Sequence, residues 1–211
     1  MLENNNSNNT YLNIVNGKLS QTVTETTQGA VSRTNKNGKT VFEVYYTKLT
    51  GVIQSMKVED SQFGKQLRIS VKDGDSFFLL SMNVGSSYCT TLLDRIGNCD
   101  TSKELSLSPY SFKDDKGKTR TGTTIYQGSK IEKLFTKDNP MPDSPEFPDD
   151  WKDEDAMALF NIALKKVQIK YIDTLVFKPA PSKTNIEFVD DEHFEKLVDG
   201  TFNEDNKEVP F

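Results

Sequence analysis

From Tyr11 onward the chain alternates apolar and polar positions in short runs rich in Val, Ile, Thr, Tyr and Phe, separated by Gly, Asn and Asp turns. A period of two places alternate side chains on opposite faces of a strand, so this pattern predicts half-buried β-structure. The clearest instance is Lys65–Met82. Leu67, Ile69 and Val71 alternate with Gln66, Arg68, Ser70 and Lys72 before the Asp73-Gly74-Asp75 turn, and SFFLLSM returns the chain. A two-residue loop fixes the parity: Leu67, Ile69 and Val71 share the core face with Phe78, Leu80 and Met82. Arg68, Ser70 and Lys72 then share the outer face with Phe77 and Leu79, where two cations and two large apolar groups meet. A binding platform accounts for that face, as does a covering helix or subunit. Asn37-Gly38 is the dipeptide of a type I′ hairpin between 29–36 and 39–47. Val41–Val58 is too long for one flat strand, and Gly51 would bend it. Tyr45 and Tyr46 point to opposite faces, one into the core and one toward a ligand.

A period of 3.6 appears twice. Ser86–Cys99 reads as a short helix, with Ser86 or Ser87 as cap, Tyr88, Leu92 and Ile96 on one face, and Gly97 as its end. Trp151 to about Val167 reads as an amphipathic helix capped by Asp150, with Ala156, Leu159, Phe160, Ala163, Leu164 and Val167 as a stripe expected to dock on the barrel or a second subunit. Ile169–Phe177 fits either more helix or a strand. Between the helices, Leu105–Phe112, Thr121–Tyr126 and Lys130–Phe135 read as strands. The order from Val41 is strand, strand, strand, helix, strand, strand, which is that of a five-stranded Greek-key OB-fold barrel. The expectation is therefore mainly β with two helices. An Asn-rich disordered start spans 1–10, a barrel 11–137, a Pro-rich linker 138–150, a packed helix 151–178 and a disordered acidic end 179–211.

Charge changes the picture. The 211 residues carry a net of −5. Residues 1–137 hold 18 Lys and Arg against 13 Asp and Glu, whereas 138–211 hold 8 against 18. A basic body joined to an acidic end suits a polyanion as ligand and screens itself from it. The cations fall beside rings in the loops and strands that such a barrel uses. Lys57, Phe63 and Lys65 belong to the expected 1–2 loop, and Arg68, Lys72 and Phe77 to the 2–3 face. Lys113, Lys116, Lys118 and Arg120 crowd the 4–5 loop, flanked by Tyr110, Phe112 and Tyr126. Basic grooves with stacking rings hold unpaired strands. With Tyr45, these residues form the expected nucleic-acid surface.

Other chemistry finds little footing. His193, the only histidine, lies in the acidic end, which leaves a His-dependent triad or metal centre unsupported. No P-loop or dinucleotide glycine fingerprint occurs, so neither an enzyme nor a cofactor is expected. Cys89 and Cys99 exclude a zinc quartet. They read as reduced thiols of a cytoplasmic protein, with a single bridge as the alternative. No signal peptide or apolar run of spanning length is seen, and no membrane role is expected.

Ile186–Phe211 carries nine acids against Lys196 and Lys207 and finishes Val209-Pro210-Phe211. Composition of this kind stays hydrated and extended, and the terminal ring beside a carboxylate suits a pocket with a basic rim. Basic barrel, linker and acidic end with Pro-Phe together resemble the single-stranded DNA-binding proteins of phages and bacteria. The resemblance lies in arrangement over most of the chain, and in residues only at the tip. It implies a protein that coats exposed strands in DNA replication, recombination and repair. It also implies that Glu204, Asp205, Glu208, Val209, Pro210 and Phe211 recruit partners such as a polymerase, helicase or primase. Asn206 and Lys207 dilute the acids near the tip, a departure from that pattern. A β-rich phage structural or glycan-binding module and an RNA-binding OB protein are the alternatives. Homo-oligomer formation is left open by the sequence.

Overall fold

A computed structural model describes residues 9–35, 38–150 and 152–177. The chain is mainly β with two helices, and its ten strands form one curled sheet. In chain order they are β1 (Asn9–Val15), β2 (Lys18–Val23), β3 (Val31–Thr34), β4 (Thr40–Tyr46), β5 (Leu49–Ser61), β6 (Gly64–Asp73) and β7 (Ser76–Asn83), then β8 (Leu105–Lys113), β9 (Thr119–Gln127) and β10 (Ser129–Lys130). Helix α1 (Ser87–Ile96) follows β7, and α2 (Glu154–Thr174) follows β10. Across the sheet the order is β10-β9-β8-β5-β6-β7-β1-β2-β4-β3.

The hairpin parity expected for Lys65–Met82 holds. Leu67 pairs with Met82, Ile69 with Leu80 and Val71 with Phe78, and all six side chains are buried. They join Leu12, Leu19, Leu49, Ile53, Leu105, Leu107 and Ile125 in one core on the concave side of the sheet, closed by Leu92, Leu93 and Ile96 of α1. Ser86 caps α1, its hydroxyl accepting from Cys89 N–H, and Gly97 ends it, as the pattern predicts.

Several expectations are corrected. Ten strands share the sheet rather than five, and the strand beside β7 is β1, whose residues 9–12 run parallel to Phe77–Leu80. Asn9 and Thr10 are thus strand residues. Val41–Val58 is two strands broken at Thr47-Lys48. Gly51 lies inside β5, where the strand changes partners from β8 to β6. There the chain passes so close to β6 that a Cβ on Gly51 would sit 2.6 Å from the Lys72 carbonyl oxygen, and φ is 155°. The β3–β4 loop closes through Asn35 N–H donating to the Lys39 carbonyl at 2.8 Å, which makes it one residue longer than a type I′ turn. Lys130–Phe135 contributes only the two-residue β10 to the sheet.

Helix α2 starts later and runs further than its apolar stripe suggests. Asp153, not Asp150, is the cap, accepting from the N–H groups of Asp155 and Ala156. Ile169–Thr174 continues the helix. Its C-terminal half is the docked half: Gln168 accepts from Gly85 N–H and donates to Thr90, Ile172 is buried, and Tyr171 meets Phe135 edge-on at 5.1 Å. In the N-terminal half Leu159 and Ile162 stay exposed. Within 138–150, Met141 enters the core and Phe147 packs edge-on against Phe160.

Candidate nucleic-acid interface

The face of β5, β6 and β7 that turns away from the core is built by strand alternation. Antiparallel pairing sets Lys57 opposite Arg68 and Arg68 opposite Ser81. Ser55, Ser70 and Leu79 form the next row, and Lys72 with Phe77 the one beyond. Paired residues in neighbouring strands stand side by side on one face, so these rows form a single surface. Phe77 is 38% exposed and the Lys72 ammonium lies 5.5 Å from its ring centroid, a cation–π contact. Lys57 is exposed. Arg68 pairs with Glu59 at 2.9 Å and Lys65 with Asp60 at 2.9 Å, so two acids on the same hairpin offset part of the positive charge. Lys57 and Lys65 therefore belong to strands, and only Phe63, 72% exposed, occupies the tight β5–β6 loop.

The β8–β9 hairpin forms a second patch. Phe112 stands opposite Arg120, Tyr110 opposite Gly122 and Ser106 opposite Tyr126. Tyr110 and Phe112 lie 5.8 Å apart, centroid to centroid. The Tyr110 phenol is packed over Gly122, and burial raises its pKa. Asp114 organises the loop: its carboxylate accepts from the N–H groups of Lys116 and Lys118 and pairs with Arg120 at 2.9 Å. These bonds, led by the Lys118 N–H, hold the Asp114 carboxyl below the usual range. Lys113, Lys116 and Lys118 are exposed at this tip, and Tyr126 is exposed near the far end of β9. The two patches do not merge into the one surface expected from sequence. Along the sheet from Lys72 to Tyr126 the outer face passes through Val52, Thr50 and Ser106. Val52 and Thr50 are buried, and Thr50 is hydrogen-bonded to Ser106 at 2.7 Å.

On the other side of β7 the same face does continue. Tyr11 of β1 stands beside Leu79 and is 60% exposed. Asn13 pairs with Ser20, and Ser20 with Tyr45 of β4. Tyr45 is half-buried on this outer side while Tyr46 is buried in the core, as alternation predicts. The Tyr45 hydroxyl donates to Glu43 at 2.7 Å, and Arg33 grips the same carboxylate with two bonds of 2.7 Å. The Arg33 bonds, helped by Tyr45 and Ser20, hold the buried Glu43 carboxyl below its ordinary range, while burial raises the Tyr45 phenol. Lys18 lies 5.8 Å over the Tyr45 ring. Tyr11, Lys18, Arg33 and Glu43, which the sequence does not single out, lie on or beside this face. The alternation of Tyr11 and Asn13 against Leu12 and Ile14 was readable, but nothing in it says that β1 lies beside β7.

No family model, curated protein or solved structure matches this chain. Among the described residues no three His, Cys, Asp or Glu side chains are grouped to hold a metal, and no helix is long and apolar enough to cross a membrane. Cys89 and Cys99 are both free thiols, and burial pushes them up to about 12 and about 11. Glu204, Asp205, Glu208, Val209, Pro210, Phe211 and His193 lie outside the described residues.

Proposed function

We propose that this chain is a single-stranded DNA-binding protein whose principal contact surface is the outer face of β5, β6 and β7. The observation that carries the reading is the shared face of Lys57, Arg68, Lys72 and Phe77, cations and an exposed ring side by side. A polyphosphate backbone needs such cations, and an unstacked base needs such a ring. The order β9-β8-β5-β6-β7 with α1 between β7 and β8 supports an OB-like core. In an OB-fold the fourth strand joins the first as β8 joins β5, and the second and third strands supply the binding face. The β8–β9 tip, with Lys113, Lys116, Lys118 and Arg120, would serve as a flanking contact to the backbone. Recognition through backbone and ring faces carries no base code, so sequence preference is weak. The acidic end, by its resemblance to the tails of single-stranded DNA-binding proteins, would recruit replication and repair enzymes through Phe211.

The direct test is fluorescence anisotropy with single-stranded and duplex oligonucleotides at two salt concentrations, with RNA of the same sequence as a further arm. The single strand binds and weakens as salt rises, while duplex binds poorly. Phe77→Ala lowers affinity by about 1–3 kcal/mol, the worth of one stacked base, with folding unchanged. Equal affinity of wild type and variant would remove the platform.

A further inference from the structure

We infer that the bound strand does not end at β7 but continues across β1 and β2 to β4, where Tyr11 and Tyr45 form a second stacking station served by Lys18 and Arg33. The inference rests on the reading of the β5–β7 face and extends it. An OB-like order accounts for β5 to β9 but does not require anything beside β7. Here β1 occupies that edge in parallel register, and its outward side chains prolong the face one strand further. The face passes from Leu79 to Tyr11, then one step along β1 to Asn13, where β1 changes partners from β7 to β2, and on through Ser20 to Tyr45. Between Tyr11 and Tyr45 the surface is low, since Asn13 and the buried Ser20 are short side chains.

The chemistry at the far end is that of a prepared ring. The Tyr45 hydroxyl is committed to Glu43, so the aromatic ring cannot swing freely. Glu43, a carboxylate that would repel phosphate if unpaired, is answered by the two-pronged grip of Arg33. Glu43 is thus a positioning residue, holding Tyr45 from one side and Arg33 from the other. Lys18, over the Tyr45 ring, is placed to exchange that contact for a phosphate when a base takes the ring. Strands lie about 4.8 Å apart, so Tyr45 is about 14 Å from Phe77 in the direction across the strands. That adds room for several nucleotides beyond the first station. The ligand is an unpaired polynucleotide longer than the β5–β7 face alone accommodates.

Length dependence separates the two stations. Labelled oligo-dT of about 5 and about 15 nucleotides, lengths inside the range one such barrel covers, would be titrated onto the full chain. Tyr11→Ala and Tyr45→Leu are each expected to weaken the long oligonucleotide about tenfold and the short one less than about twofold. Tyr45→Phe keeps the ring but loses its tether to Glu43, so it recovers most but not all of the long-oligonucleotide affinity that Tyr45→Leu loses, a graded order that a mere loss of folding would not explain. Phe77→Ala weakens both lengths. Independently, a long oligonucleotide carrying 5-iodouracil, irradiated with wild-type protein, crosslinks to peptides containing Tyr11 and Tyr45. If Phe77→Ala weakens binding while both tyrosine variants match wild type, and crosslinks reach only the β7 peptide, the extension is overturned and the first station stands. If wild type binds neither length, both are overturned.

Discussion

Glu43 is buried, charged and bonded to Arg33, Tyr45 and Ser20. Because its folded-state pKa is lowered, the ionised form contributes stability above the unfolded value, about pH 4.3, and that contribution is lost as the pH falls through the lower folded value. Glu43→Gln should therefore cost about 1–3 kcal/mol near neutral pH, a hydrogen-bonded charge being replaced by an amide. The gap between variant and wild type should narrow as acid protonates the Glu43 carboxylate, below the ordinary glutamate range. Urea denaturation at both conditions checks this, and a gap independent of pH would contradict it. The sequence foretold that Tyr45 and Tyr46 take opposite faces, because parity alone decides it. It did not foretell that Glu43 sits under Arg33. That pairing crosses from β4 to β3 and depends on hairpin register, which residue identity does not carry.

Strands and helices were legible where local rules govern them. The β6–β7 hairpin, its core residues and helix α1 with its Ser86 cap follow from alternation and capping. Where tertiary contact decides, the local pattern was only part of the answer. Of the apolar stripe of α2, Ala156, Phe160, Ala163, Leu164 and Val167 are half-buried and Leu159 is exposed, while the firmest docking comes further on, from Gln168, bonded to Gly85 and Thr90, and from Ile172. Gly51 was legible as a bend, and its reason is now specific. Any side chain there meets the Lys72 carbonyl at the crossing of β5 from β8 to β6. Gly51→Ala should lose at least about 1–2 kcal/mol, the cost of a positive φ in a residue with a Cβ, before any strain of the close approach. A shift of the urea midpoint at unchanged slope measures it.

For the molecule as a whole, charge was legible and topology was not. The division between a basic body and an acidic end comes from counting residues, and it makes a prediction about affinity. Removing 186–211, with its net of −7, lowers the repulsion felt by any polyanion near the β-sheet body. The truncated protein should bind single-stranded DNA more tightly at low salt and converge on wild type as salt rises; unchanged or weaker binding at low salt would contradict this. The placement of β1 beside β7 was hidden, because a parallel contact between residues 9–12 and 77–80 has no local signature.

That seam carries a burden of its own. Along β7, the backbone N–H and C=O groups on the side away from β6 are met by a short run of β1. Were β1 trimmed away, β7 would become an unguarded margin beside exposed Phe77, open to annealing with the same margin of another molecule. Shortening the amino end of this protein is therefore a route to chains that stick to one another, whatever they bind.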